Sequence, residues 1–158
     1  MSTKSIFIQI AGMTGDSTDS GHSQWSEVCS VSFGVHRQTN PQMTHGSCNT
    51  PLAATFSEVE IVKKLDSLGP QLFEQVANVQ GTKIAKVQID VMAAGEGNTV
   101  ETYIFKNVVI TSFDILINDD GASNTVKFSY ESYDYTFFPR DSKNVKQASM
   151  RTTGLVGN

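Results

Sequence analysis

Residues 56–81 read FSEVEIVKKLDSLGPQLFEQVANVQG. Whether that run is one long helix, or a strand followed by a helix, decides between a mixed fold and an almost all-β one. Ser57 with Glu60 has the form of a capping box, in which a hydroxyl and a carboxylate exchange hydrogen bonds with free backbone amides. Val59, Ile61 and Leu65, with charges between them, fit a half-buried strand instead, and β-branched side chains favour that pleated surface. A better helix start stands at Asp66 or Ser67, with Pro70 in the first turn, where an imino acid has no bonded N–H to lose. Leu72, Phe73, Val76 and Val79 then follow at helical spacing until Gly81. The pattern predicts a strand to about Leu65 and one short helix over 68–79.

Outward from this segment, alternation with period two dominates. Ile6, Phe7, Ile8 and Ile10 make a first strand, closed by Gly12 and Gly15. Residues 27–35, EVCSVSFGV, separate into an apolar face of Cys29, Val31, Phe33 and Val35 and a small polar face of Ser30, Ser32 and Gly34. Such a strand belongs to a sheet packed on one side and wet on the other. Residues 38–52 show no periodicity, and at about 15 residues they exceed the roughly 4–6 usual for a connection. Ala85, Val87, Ile89 and Val91 alternate with polar residues, and 99–117 holds two strands without a strong break between them. After the turn at 118–124, Phe128 and Tyr130 share one parity while Tyr133, Tyr135 and Phe137 share the other. That switch places a β-bulge near Glu131–Ser132. Pro139 ends the strand, and residues 140–158 read as a flexible polar tail. The sum is a mainly β, single-domain barrel or sandwich spanning 1–158, with about eight strands and one flanking helix.

Bulk properties narrow the function. The 158 residues suit one well-packed domain, with 39% hydrophobic residues, nine phenylalanines and a net charge of −4. No basic cluster interleaves with aromatics, which argues against nucleic acid and against membrane surfaces. The N-terminal run has neither the continuous apolar stretch nor the cleavage site of a signal peptide. No stretch approaches the ~18 apolar residues of a membrane span, so membrane insertion is not expected. Two cysteines, Cys29 and Cys48, are too few for a disulfide-built fold.

The densest polar cluster is GDSTDSGHSQWSEV at 15–28, with two aspartates, a histidine and the only tryptophan. A Ser/His/Asp triad can be drawn through His22, but no nucleophile elbow supports it, and Asp, Ser and Thr crowd into turns because they bond nearby amides. A calcium loop needs oxygens at alternate positions, and Asp16 and Asp19 stand three apart. Zinc has candidate ligands in Cys29, His36, His45 and Cys48, yet Cys29 and His36 fall on opposite faces of one strand. Phosphate-binding glycine motifs do not occur. The tyrosines of 130–138 could stack on sugar rings, although alternating aromatics also fill a sheet's core. No catalytic, cofactor-binding or metal-binding residue is assigned, and no cofactor is expected.

Three motifs in order then resemble the Hcp family, the haemolysin-coregulated tube proteins of bacterial type VI secretion. The family's G-E-S-x-D-x-x-H-x-x-x-x-x-V reads here as Gly15, Asp16, Ser17, Asp19, His22 and Val28, with Asp replacing Glu at 16. Its strand-to-helix passage matches at Val59, Ile61, Lys63, Leu65, Asp66, Pro70 and Leu72, with Gly69 where Ser is usual. The aromatic and proline at 137–139, after the same parity switch, are the third. The C-terminal Gly154-Leu155 departs from the family's Gly-Trp.

The resemblance implies a β-barrel with one flanking helix, assembled into homo-hexameric rings. Those rings would stack into a tube meeting sheath, spike and effector proteins, cytoplasmic at first and then secreted without a cleaved signal. In that setting Gly15, Asp16, Ser17, Asp19, His22 and Trp25 form an architectural loop. Ser30 and Ser32 face the lumen. The loop containing Asn40, Pro41, Met43, His45, Cys48 and Pro51 mediates ring stacking. The competing reading is a non-catalytic β-sandwich binding module for a carbohydrate or protein ligand.

Overall fold

The computed structural model describes residues 5–40, 50–78, 83–93, 98–140, 143 and 145–156. Eleven strands and one helix follow in the order β1 Ser5–Ile10, β2 Ser26–Val28, β3 Ser30–Ser32, β4 Val35–Asn40, β5 Thr50–Phe56, β6 Val59–Lys64, α1 Leu68–Ala77, β7 Ile84–Met92, β8 Thr99–Asn118, β9 Gly121–Ser129, β10 Ser132–Phe137 and β11 Met150–Leu155. The ambiguous segment resolves as a strand followed by a helix. In β6, Val59, Ile61 and Lys63 point inward while Glu60 and Lys64 face water. The helix starts where Asp66 takes the free amide of Leu68. It buries Leu68, Gly69 and Leu72, while Phe73 and Val76 stay exposed. Val79, expected on the same apolar spacing, lies outside the described residues.

The large sheet is antiparallel throughout, in the order β2-β1-β7-β8-β9-β6-β3, with β10 pairing both β8 and β11. Its two ends, β2 and β3, are separated along the chain by one residue. Cys29 makes that step, its N–H bonding to Val62 O at 2.7 Å. Because consecutive residues stand at opposite ends of the strand order, the sheet must curl until those ends are neighbours, and the result is an open barrel. Inside it lies one apolar cluster including Ile8, Ile61, Leu72, Val87, Ile89, Phe105, Val126 and Phe128, all nearly free of solvent. At roughly 25 cal/mol per Å² of apolar surface removed from water, this cluster is the main favourable contribution to folding.

Several elements differ from the sequence pattern, each for a local reason. Residues 27–35 form three short pieces rather than one strand, because the chain leaves β1 at Val28 and joins β6 at Ser30. Cys29 is therefore exposed and not part of a packed face, and Val35 has passed beyond the barrel. The run 99–117 belongs to one continuous 20-residue strand, β8. It accommodates the barrel's curvature with Asn107 at φ 53° and a register shift between Ile110 and Ser112 instead of a break. β9 and β10 both run alongside β8, and the parity switch falls where Glu131 N–H bonds to Lys106 O. Both flanks of 38–52 are strands, since β4 pairs β5 from Val35↔Phe56 to Asn40↔Thr50. The polar tail holds β11, which pairs with β10 from Ser132↔Leu155 to Phe137↔Met150. Its alternation was invisible because neither face of β11 is buried.

Candidate functional site

The 15–28 cluster lies between β1 and β2 and is built by its own backbone. Gly15 N–H bonds Gln24 O at 2.7 Å, Ser17 N–H bonds Trp25 O at 2.8 Å, and Gln24 N–H bonds Ser17 O at 2.9 Å. Position 15 has to be glycine, because a Cβ there would stand 2.5 Å from Trp25 O. Local side chains complete the turn: Ser17 Oγ accepts from Asp19 N–H and Asp19 Oδ2 from Gly21 N–H.

Within this frame His22 is buried and held on every side. Nδ1 lies 2.9 Å from Asp19 Oδ2, and Nε2 lies 2.9 Å from Asp90 Oδ2 on β7. Its ring stacks on Phe7 with centroids 4.5 Å apart and meets Trp25 edge-on at 4.6 Å. A neutral imidazole has a single N–H, so both contacts are donor bonds only when the ring is protonated. Neither nitrogen is left to accept a proton from a serine, which removes the triad drawn through this residue. Asp90 is itself tied to Thr102 Oγ1 and Gln88 Nε2 through its other oxygen, at 3.0 and 3.1 Å.

A second set of bonds ties the loop to the helix start. Asp16 accepts from Ser67 N–H at 3.0 Å and from Ser67 Oγ at 2.6 Å, while Thr14 O accepts from Gln71 Nε2 and lies 3.0 Å from the same hydroxyl. Asp66, next to it, receives the buried Lys63 ammonium at 2.6 Å, the hydroxyl of Ser26 and the Leu68 amide. Hydrogen bonds from Ser67 hold the Asp16 carboxyl below the usual carboxylate range. The bond from His22 does the same for Asp19.

The loop residues named from the sequence thus come together, but their partners Asp66, Ser67 and Asp90 were missed. Asp90 carried no signal of its own, since it stands in the polar phase of β7 with Lys86 and Gln88. Ser30 and Ser32 are both exposed on β3. Of the expected stacking residues, Asn40 ends β4 and Pro51 is the second residue of β5, whereas Pro41, Met43, His45 and Cys48 lie outside the described residues. With them goes half of the zinc set; Cys29 and His36 are both exposed.

The β4–β5 hairpin forms a two-stranded sheet of its own. Its base is latched where Ser57 N–H bonds Gly34 O and Gly34 N–H bonds Ser57 Oγ, at 2.9 and 2.7 Å. Between that base and β8 and β10 runs a groove of about 430 Å³ walled by Phe33, Phe56, Tyr103, Tyr133 and Tyr135. The tyrosines of 130–138 divide between the two roles weighed for them. Tyr130 is buried against Phe105, with burial raising its phenol's pKa, while Tyr133 and Tyr135 line the groove. Tyr103 is also shifted upward, first by burial and then by its bond to Glu101.

Comparison with known proteins gives the arrangement its relatives. No curated protein sequence matches significantly. A structure described as that of a type six secretion system protein superposes with a TM-score of 0.82 at 21% identity, covering 94% of this chain and 92% of that one. Hcp1 from Salmonella typhimurium gives 0.77 at 17% identity, covering 97% and 94%. A type VI secretion system effector from Yersinia pestis gives 0.75 at 19%, covering 96% and 99%. These likenesses establish a shared fold. The profile of the family described as "Type VI secretion system effector, Hcp" matches residues 7–137, most of the sequence, spanning its first two motifs and ending at the aromatic that opens the third. The chain belongs to the Hcp family, the tube proteins of type VI secretion.

Proposed function

We propose that this chain is a non-catalytic subunit of a secretion tube, closing into hexameric rings that stack through the β4–β5 hairpin. The observation that carries the reading is the hairpin itself. Strands β4 and β5 leave the barrel as a separate sheet, with Val35, His36, Arg37, Gln38 and Thr39 all exposed. A two-stranded arm that meets its own core only near its base is marginal alone, and a surface on another subunit would stabilise it. Asn40, Pro41, Met43, His45, Cys48 and Pro51 are its contact residues toward the next ring.

Ser30 and Ser32 belong to the lumen wall, where small hydroxyls give a wet surface that does not retain a passing effector. The loop 13–25 is architectural: it binds β1, β2, β7 and α1 into one unit, so the barrel keeps its shape under load. Export then proceeds with the tube, first assembled in the cytoplasm, and sheath and spike proteins are its partners. No helix among the described residues is long and apolar enough to cross a membrane.

Light scattering on the purified protein, with negative-stain images of the same peak, tests the reading. A mass near six subunits with annular particles is the expected result. A monomer at all concentrations overturns it and favours a binding module using the aromatic groove.

A further inference from the structure

The β8–β9–β10 ribbon ends in two surfaces of opposite character. At its tip, beyond the barrel rim, Ile115, Leu116 and Ile117 are 51%, 61% and 72% exposed in consecutive positions. Adjacent strand residues point to opposite faces, so both faces of this tip are apolar. Asp114, Asp119 and Asp120 flank them, with Lys64 of β6 the nearby cation across β9. Among the described residues, the 109–118 half of β8 pairs only with β9, because β7 reaches no further than Val108. Among the described residues, no strand pairs the other edge of that half.

On the far side of the Asn107 bend, β11 is a second such edge, pairing among the described residues only with β10. It carries exposed Met150 and Leu155 at 68% and 66%. The charges beside it are net basic, with Lys83, Lys106, Lys146 and Arg151 against Glu131 and Asp134. The Arg151 side chain is 63% exposed while paired to Asp134 at 2.5 Å, Lys106 shares a shallow cleft with Leu155, and Lys146 sits over Phe138. An acidic, apolar open edge and a basic, apolar open edge are complementary in charge, in hydrophobicity and in free backbone groups. Pairing fixes them on opposite halves of a strand whose 20 residues span on the order of 60 Å of chain, so each must find its match on another copy.

We infer that the tip 114–120 of one copy docks against β11 of the next, joining copies head to tail. A contact between two different patches repeats around a closed cycle without leaving either patch uncovered. This rests on the ring reading above and names the surfaces that close the ring.

The test uses two variants of the full chain. Ile117→Lys places a cation before the partner's basic patch, and Leu155→Glu places an acid before the partner's aspartates. Each variant alone sediments as a single subunit, with the circular dichroism and melting of the wild type measured at ring-dissociating dilution. Mixed one to one, they associate again into species of two subunits or more, because an intact tip meets an intact β11 and the introduced cation faces the introduced acid. Rings of wild-type mass from either variant, or variants that stay monomeric when mixed, overturn the docking while leaving the ring reading intact. A monomeric wild type instead overturns the ring reading and this contact with it. Should a variant melt low, Ile117→Thr and Leu155→Thr replace the pair in the same mixing experiment.

Discussion

His22 shows how one side chain fixes a loop. It joins Asp19 in its own turn to Asp90 on β7, and its ring fills the space between Phe7 and Trp25. Truncating it leaves the largely buried Asp90 carboxylate without its imidazole hydrogen-bond partner and opens a cavity over Phe7. His22→Ala should cost about 2–4 kcal/mol, a fall in Tm of roughly 5–15 °C by thermal denaturation. An unchanged Tm would mean the loop is held by its backbone alone. Acid acts on the same contacts from the other side. Asp16 and Asp19 have folded pKa values below their unfolded ones, so their contribution is complete above about pH 4 and disappears as pH falls through the lower, folded value. The Tm difference between wild type and Asp16→Asn should be constant from about pH 7 to 5 and shrink steadily below about pH 4. A difference independent of pH would show that the carboxylate's charge is not what Ser67 binds.

Among the elements, β4–β5 stands apart in owing little to the core. Phe56 packs on Tyr130 and Tyr133 at the base, and the rest of the hairpin is supported by its own ladder and the Gly34–Ser57 latch. Deleting 42–48 should therefore leave the Tm within about 2 °C of wild type and leave rings intact, while tubes no longer form in electron micrographs. Tubes of normal length from the shortened chain would assign stacking to another surface. The helix behaves differently, because Phe73 and Val76 follow the apolar spacing yet remain exposed. Spacing reports which residues lie on one side of a helix; how far the neighbouring sheet extends decides which of them are covered.

For the whole molecule, the decisive feature is that a single segment, 26–32, stands at both ends of the strand order. The barrel consequently wraps around its core and yet, among the described residues, leaves β8 beyond Val108 and β11 each with an edge that no strand pairs. Open edges invite association with other chains, and in this chain each one carries a charge opposite to the other. If electrostatics assist that association, raising salt from about 0.05 to 0.5 M should shift the ring–monomer balance toward monomer in sedimentation runs. Rings indifferent to salt would leave apolar contact alone in that role.

The sequence by itself determined the elements whose two faces meet different surroundings. The alternation of β1 and β6, the helix from Leu68 and the parity switch near Glu131 were legible because burial on one face writes a period into the chain. The turn chemistry of 15–28 was legible for the same reason, since Gly15 and the local Asp and Ser residues answer to their own backbone. Only the tertiary structure decided where Asp66, Ser67 and Asp90 would meet that loop, that 26–40 divides into three strands serving different neighbours, and that β11 exists at all. Those features depend on partners distant in sequence or on a strand with no buried face, and neither leaves a local period to read.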